Sequence, residues 1–183
     1  MAQEDSSKQT PLGVDSEFKA DAGLMLSDIL TVQTSLSIFY SYARETQVGK
    51  RLQDETEMIT VFAPTNEAVM ALAHKPHQGP DPVQDGTIIS QEDFDSLSKE
   101  NVERWIKAHI VPQHIPRLYP TSQYEALLEG IVITVGDSDP KATKEFEDKP
   151  DWSHIVLNNN IHVVDRVEAE NGVLYLVDRA IYG

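Results

Sequence analysis

The 183-residue chain contains no cysteine, which removes disulfides, zinc–thiolate sites and thiol catalysis together. That absence does not report a compartment, because a chain of this length buries roughly 70% of its unfolded surface and needs no covalent staples. No Asn-x-Ser/Thr triplet occurs, so N-glycosylation gives no sign of secretion either. No apolar run approaches the ~18 residues of a membrane helix. The start, MAQEDSSKQTPLGVDSEFK, lacks both the apolar centre of a signal peptide and the character of a transit peptide. Positive charge is scarce: 15 Lys and Arg stand against 30 Asp and Glu, a net charge of −15 with no local basic cluster. Such a field repels phosphates, which argues against nucleic acid and anionic lipid as partners. Gly-x-Gly-x-x-Gly, Gly-x-x-x-x-Gly-Lys and the Gly-x-Ser-x-Gly elbow are all missing, so phosphate cradles and a serine nucleophile have no support. No cofactor is expected.

What is present is an ordinary globular balance, 40% hydrophobic and 25% charged. Residues 1–21 read as a polar, flexible tail, and 22–183 as a single domain. From Leu24 the pattern is helical: Leu26, Ile29 and Leu30 form one apolar face, and Leu36, Phe39, Tyr40 and Ala43 another. Ser27 and Thr34 or Ser35 are the expected N-caps of two short helices. Met58–Phe62 is a β-type run closing at Pro64, after which Thr65 is the expected cap of a helix with Ala68, Val69 and Leu72. The stretch 74–90, with three prolines and two glycines, reads as a loop. Ser90 then caps a helix that keeps its spacing through Phe94, Leu97, Val102, Trp105, Ile106, His109 and Ile110 until Pro112. Tyr124–Leu128 and Ile131–Val135 are expected strands, 136–151 a charged solvated insertion, and 154–157, 161–167 and 173–178 further strands.

The segment VVDRVEAENGVLYLVDRA, Val163–Ala180, carries Val-Asp-Arg on both sides of Asn-Gly. Asn-Gly between β-rich runs is a strong hairpin signal, since both residues tolerate positive φ. A strict two-residue turn there sets Asp165 opposite Asp178, and like charges facing each other are unfavourable. A longer loop or a bulge that shifts the register is therefore expected. The charges alternate with apolar positions, as an exposed strand face does.

TVFAPTNEAVMAL (Thr60–Leu72), AHIVPQHI (Ala108–Ile115) and NGVLYLVDRAI (Asn171–Ile181) resemble, in order, the three signature blocks of fasciclin-type (FAS1) domains. The single-domain form, the acidic loops and the insert before the middle block are closer to microbial or fungal members than to animal matrix proteins. The resemblance implies an α+β fold, a β-sandwich or wedge of about seven strands with several helices packed around it. It makes the first block a central strand running into a helix and the last block the final strand beside it. It assigns scaffold roles to Thr60, Phe62, Ala63, Pro64, Thr65, Asn66, His109, Pro112, Asn171, Gly172, Asp178 and Arg179. His109 is expected in the core, its imidazole bonded to Asn66 or nearby backbone.

The family's usual role is adhesion or matrix association, without catalysis. In animal members integrin contacts are assigned to an Asp-Ile pair before the last block and to a Tyr-His pair in the middle. This chain has Arg166-Val167 and Ala108-His109 there, and no Arg-Gly-Asp. An arginine cannot supply the acidic oxygen that receptor metal needs, and Asp165 points to the other strand face. His109, Asp165, Arg166 and Val167 remain the candidate partner-binding positions. The reading is a non-catalytic module for a protein or polysaccharide at a cell surface, matrix or wall, favoured as a monomer. Its expected location is the secretory pathway or vacuolar lumen, with any targeting segment outside this sequence. That reading expects Tyr119, Tyr124 or Trp152 exposed near a polar groove. The alternative is a small-ligand carrier, which expects an enclosed apolar pocket. A metal-dependent enzyme would need His74 with His77, or His109 with His114, to converge with carboxylates, and Asp137 with Asp139 would hold calcium only weakly.

Overall fold

The computed structural model describes residues 23–138 and 148–182. The 1–21 tail, most of the charged insertion and Asp139 lie outside them. Seven strands form one sheet in the order β2-β1-β7-β6-β5-β4-β3: β1 Ile59–Pro64, β2 Ile110–Val111, β3 Gln123–Glu125, β4 Val132–Asp137, β5 Ile155–Leu157, β6 Ile161–Ala169 and β7 Gly172–Val177. Only β1 and β7 run parallel; every other pair is antiparallel. Four α-helices, α1 Leu26–Val32, α2 Ser37–Ala43, α3 Asn66–Met70 and α4 Gln91–Ala108, join short 3-10 turns around it. This is the mixed α and β wedge that the resemblance implied.

Every residue of β1 and of β7 is buried, as the near-continuous apolar runs ITVFAP and GVLYLV require of strands covered on both faces. Alternate residues serve two cores. Ile59, Val61, Ala63, Leu174 and Leu176 pack under the helices, against Leu26, Leu30, Phe39, Trp105 and Ile106. Phe62, Val173, Tyr175 and Val177 turn the other way and meet Ile133, Val135, Leu157, Ile161 and Val163, so the sheet wraps a second core inside the wedge. Phe62 and Tyr175 stack there at 5.4 Å.

The last hairpin corrects the expected turn. Its loop residues are Glu170 and Asn171, because Ala169 pairs with Gly172. Asp165 consequently lies opposite Leu176, and a bulge between Val163 and Asp165 restores Val163 to Val177. The like-charge pairing is avoided, since Asp178 instead receives the His162 backbone N–H at 2.8 Å and contacts its Nδ1 at 3.1 Å. Asn171 stays in the turn, but its side chain is fully buried. Its Oδ1 accepts from the Leu26 N–H at 2.8 Å, and its Nδ2 donates to Leu52 O and Asp54 O at 3.0 and 3.2 Å. One amide thus ties the start of α1 and the entry to β1 to the hairpin.

Several further boundaries differ. α4 stops at Ala108 rather than running to Pro112, and Ile110–Val111 becomes β2 on the edge of β1. Proline disfavours the helical region for the residue before it, which frees this stretch for pairing. Ser27 lies inside α1, whose cap position is Met25, and Thr34 and Ser35 lie in a 3-10 turn. Asp28, the third residue of the helix, instead reaches back to accept from the Met25 N–H at 2.9 Å, the return bond of a capping box. Gly136 and Asp137 belong to β4, and the strand expected over 124–128 is only Gln123–Glu125. The caps at Thr65 and Ser90 are as expected, accepting from Ala68 N and Asp93 N.

Candidate functional site

The carboxyl ends of the parallel pair β1 and β7 bring two separated segments together. The Thr65 N–H donates to Val177 O at 3.0 Å, so α3 begins directly beside Asp178 and Arg179. Between α3, this end of β7 and the β5–β6 turn runs an open groove of about 740 Å³. Its floor is apolar, from Ala68, Leu72 and Ile181, and its rim is polar, from Glu67, Asp178, Arg179, Asn158 and Asn160. Asn158 and Asn159 take φ of 49° and 69°, a region asparagine tolerates better than most residues. Asn158 is held by accepting from the Thr134 N–H at 2.9 Å. The asparagine run was the available signal for this rim, and sequence reasoning left Asn158, Asn160 and Glu67 unassigned.

Asn66, next to the groove, faces inward. It accepts from the Ile38 N–H at 3.0 Å and donates to Thr34 O at 3.0 Å, so α3 is tied to the turn before α2. Asn66→Ala leaves both partners short of a bond, a loss of about 1–2 kcal/mol. For a chain of this size the melting temperature should fall by roughly 3–6 °C, which a calorimetric scan would read directly. An unchanged melt would remove Asn66 from the scaffold.

His109 is fully buried, against Trp105 at 4.6 Å and Phe39 at 5.9 Å between ring centres. Its Nδ1 lies 2.7 Å from Trp105 O, and its Nε2 accepts from the Ile181 N–H at 3.0 Å. Of the two expected partners, Asn66 or nearby backbone, the ring takes backbone at both nitrogens. One nitrogen meets a carbonyl and the other an N–H, so the ring is satisfied only as the neutral Nδ1–H tautomer. Burial pushes its pKa down to about 4, against a smaller upward pull from the Trp105 carbonyl. It offers no surface to a partner in the folded chain.

The other three candidate binding positions lie on β6. Arg166 and Glu168 form an ion pair on the face shared with Tyr175, and His114 adds a contact to Glu168 at 3.3 Å. Asp165 Oδ1 accepts from the Arg166 N–H at 2.8 Å. Val167 packs against the helix-side core. The structure thus gathers Arg166 with His114 but sets Asp165 and Val167 on the other side. Thr60 explains how His114 arrives there: its hydroxyl donates to Gln113 O at 2.7 Å and accepts from the Ile115 N–H at 2.9 Å.

The histidine pairs do not converge. His77 Nδ1 contacts the Tyr42 hydroxyl at 3.3 Å, while His109 is buried and His114 turns outward. Among the described residues no three His, Asp or Glu side chains are arranged to hold a metal. A pocket between His74, Pro76, Arg104, Trp105 and Tyr182 has about 20 Å³ of free volume, room for about one water. Of the three aromatics expected near a groove, Tyr119 is 57% exposed and carries Arg117 at 5.3 Å. Trp152 and Tyr124 pack on the inner core, and none of the three lines the groove.

A filled wedge with an open groove at the ends of two signature strands defines a class of domain organised around its exterior. The fasciclin-domain family model matches residues 34–183, so the chain belongs to the fasciclin (FAS1) family. A FAS1 domain-containing protein of Emericella nidulans is 35% identical over 92 residues, covering 48% of this chain and 38% of that protein. One from Saccharomyces cerevisiae is 26% identical over 181 residues, 91% of this chain and 66% of the relative. The chain therefore spans under half the length of the first of these, and the expectation of fungal relatives is met. Among solved structures, the FAS1 domain pair of the insect cell adhesion molecule fasciclin I matches with a TM-score of 0.55 at 11% identity. That match covers 88% of this chain and 52% of that one, a likeness of fold. Domains of this family commonly serve as non-catalytic adhesion modules and typically occur in secreted or cell-surface proteins. No helix among the described residues is long and apolar enough to cross a membrane.

Proposed function

We propose that this domain is a non-catalytic interaction module that recognises a protein or polysaccharide partner at a cell surface, matrix or wall. The observation that carries this reading is the contrast between a closed interior and the open groove at Thr65, Asp178 and Arg179. A carrier of small apolar ligands needs an enclosed cavity of ≈ 300 Å³ or more, and the narrow pocket beside Trp105 holds about 20 Å³. The groove instead pairs an apolar floor with amides, two carboxylates and a guanidinium at its rim, groups that bond hydroxyls and peptide amides alike. Arg166, with its Glu168 and His114 neighbours, supplies a second charged contact on the same module. The scaffold roles assigned to His109, Asn66, Asn171 and Gly172 sit behind these surfaces.

Purified domain applied to an array of glycans and matrix proteins, with and without calcium and at two salt concentrations, tests the proposal. A saturable hit weakened by Arg179→Glu, with an unchanged melt, is the expected result. A hit untouched by Arg179→Glu but lost in Arg166→Ala moves recognition to β6, and a blank on every surface overturns the adhesion reading.

A further inference from the structure

The amino-terminal half of α4 has no buried residue before Val102. Yet the stripe that buries Val102 and Trp105 continues backward through it. At 100° per residue, Phe94 lies almost directly in line with Trp105, and Leu97 stands about 60° round the helix from Phe94. Phe94 is 44% exposed and Leu97 37%, and just before the helix Ile89 is 37% and Ile88 98% exposed. Part of this has a local cause. Ser90 caps the helix, so Ile89 and Phe94 occupy the positions of a hydrophobic staple. A staple accounts for neither Leu97 nor Ile88.

The charges around the stripe are mostly of one sign. Residues 91–100, QEDFDSLSKE, hold four carboxylates and one lysine. Glu92, Asp93, Asp95 and Glu100 are all exposed. Asp93 and Asp95 accept from neutral donors, the Ser90 hydroxyl at 2.7 Å and the Gln91 amide at 2.8 Å. None of the four forms an ion pair with a cation among the described residues. An apolar strip edged by unneutralised carboxylates has a definite complement. A second copy of this chain brings the same sign of charge and is disfavoured, whereas an apolar stripe edged by Lys or Arg gains on both counts.

We propose that Ile88, Phe94 and Leu97 form a docking ledge for a basic amphipathic helix of a partner protein. The ledge covers the residues just before α4 and about the first two turns of that helix, a surface distinct from the groove at Arg179. Its occupant lays apolar side chains along the stripe and sets its cations against Asp93 and Asp95.

The probe is a synthetic Leu/Lys peptide of about 15 residues with leucine at helical i, i+3, i+4 spacing, beside a peptide of equal composition with scrambled order. Binding to the whole domain is read by fluorescence anisotropy at two salt concentrations, with sedimentation of the domain alone. The patterned peptide should bind saturably, and the Phe94→Asp, Leu97→Asp double variant should weaken it by about tenfold or more. These substitutions add negative charge, so attraction by charge alone would tighten binding instead. Both positions are exposed, so circular dichroism should show an unchanged fold. Equal binding of the two peptides, equal or tighter binding by the variant, or no saturable binding would each overturn the ledge. A wild-type dimer that the double variant abolishes would also overturn it, by making a second copy the occupant.

Discussion

Gly172→Ala should give a chain that does not reach the native fold at ordinary growth temperature, recovered as aggregate or as a species with an early, broad melt. A methyl group at this position would stand 1.9 Å from the Ile59 carbonyl oxygen and 2.9 Å from its carbon. Both atoms are backbone, so no rotamer change relieves the clash. Gly172 is the first residue of β7 and pairs with Ile59, the first of β1. The two strands would have to part at the register point of the whole central pair. Overpacking in a well-filled core costs about 1–3 kcal/mol where side chains can yield. Here the yielding group is a main chain whose Ile59 N–H also donates to Asn171 O at 3.2 Å. The control is Gly130→Ala, where a methyl group meets nothing within 4 Å. Its φ of 82° makes that change strained by backbone alone, at about 1 kcal/mol. A Gly172→Ala protein no less stable than Gly130→Ala would show that β1 and β7 are not held this closely.

The stability of the domain should fall steeply as pH drops from about 6.5 toward 4, and His109 should account for much of the slope. The imidazole is neutral in the fold, with its pKa held down to about 4, and ionises near its ordinary value of 6.5 once unfolded. Between those values the unfolded chain binds the extra proton, so stability rises with pH across the window. The contribution is whole above about pH 6.5 and is lost as pH falls through the folded value, at most about 1.4 kcal/mol per pH unit. Urea titrations from pH 7.5 to 5 isolate it from most carboxylate titration. His109→Gln should be less stable by a few kcal/mol at pH 7.5, since it gives up the ring packing and at least one backbone bond. Its pH slope should also be shallower than that of the parent. Equal slopes would assign the acid sensitivity to other groups.

The fold was legible wherever a pattern of period 2 or 3.6 met an unambiguous stop. Met58–Pro64 and Thr65 announce β1 and the cap of α3, because a β-branched run ends at proline and a hydroxyl residue follows. The bulge in β6 was legible as a conflict, since an ideal register would have opposed Asp165 to Asp178. What failed to show was any decision made by partners distant in sequence. Asn171 reads as a turn residue from its neighbours alone. It becomes a buried clamp only because Leu26, Leu52 and Asp54 present one N–H and two carbonyls around it. Ile110 keeps helical spacing, yet it and Val111 leave the helix because β1 offers an open edge. The groove suffers most from this. Its rim draws on Glu67, Asn158 and Arg179, from three separate stretches, and no local window contains two of them.

The parallel pairing of β1 with β7 has a consequence for how the chain is made. Ile59 pairs with Gly172, so the centre of the sheet joins segments separated by most of the domain. Such long-range closure is slow, because loop entropy must be met before the contact repays it. During synthesis α1, α2, β1 and α3 all emerge well before their central neighbour exists. A nascent chain that has not yet extended past Val177 therefore presents β1, apolar on both faces, with one edge unpaired. That is the form of chain that chaperones retain and that aggregates when they do not. Completion of the last signature block is thus the event that commits the polypeptide to its folded form.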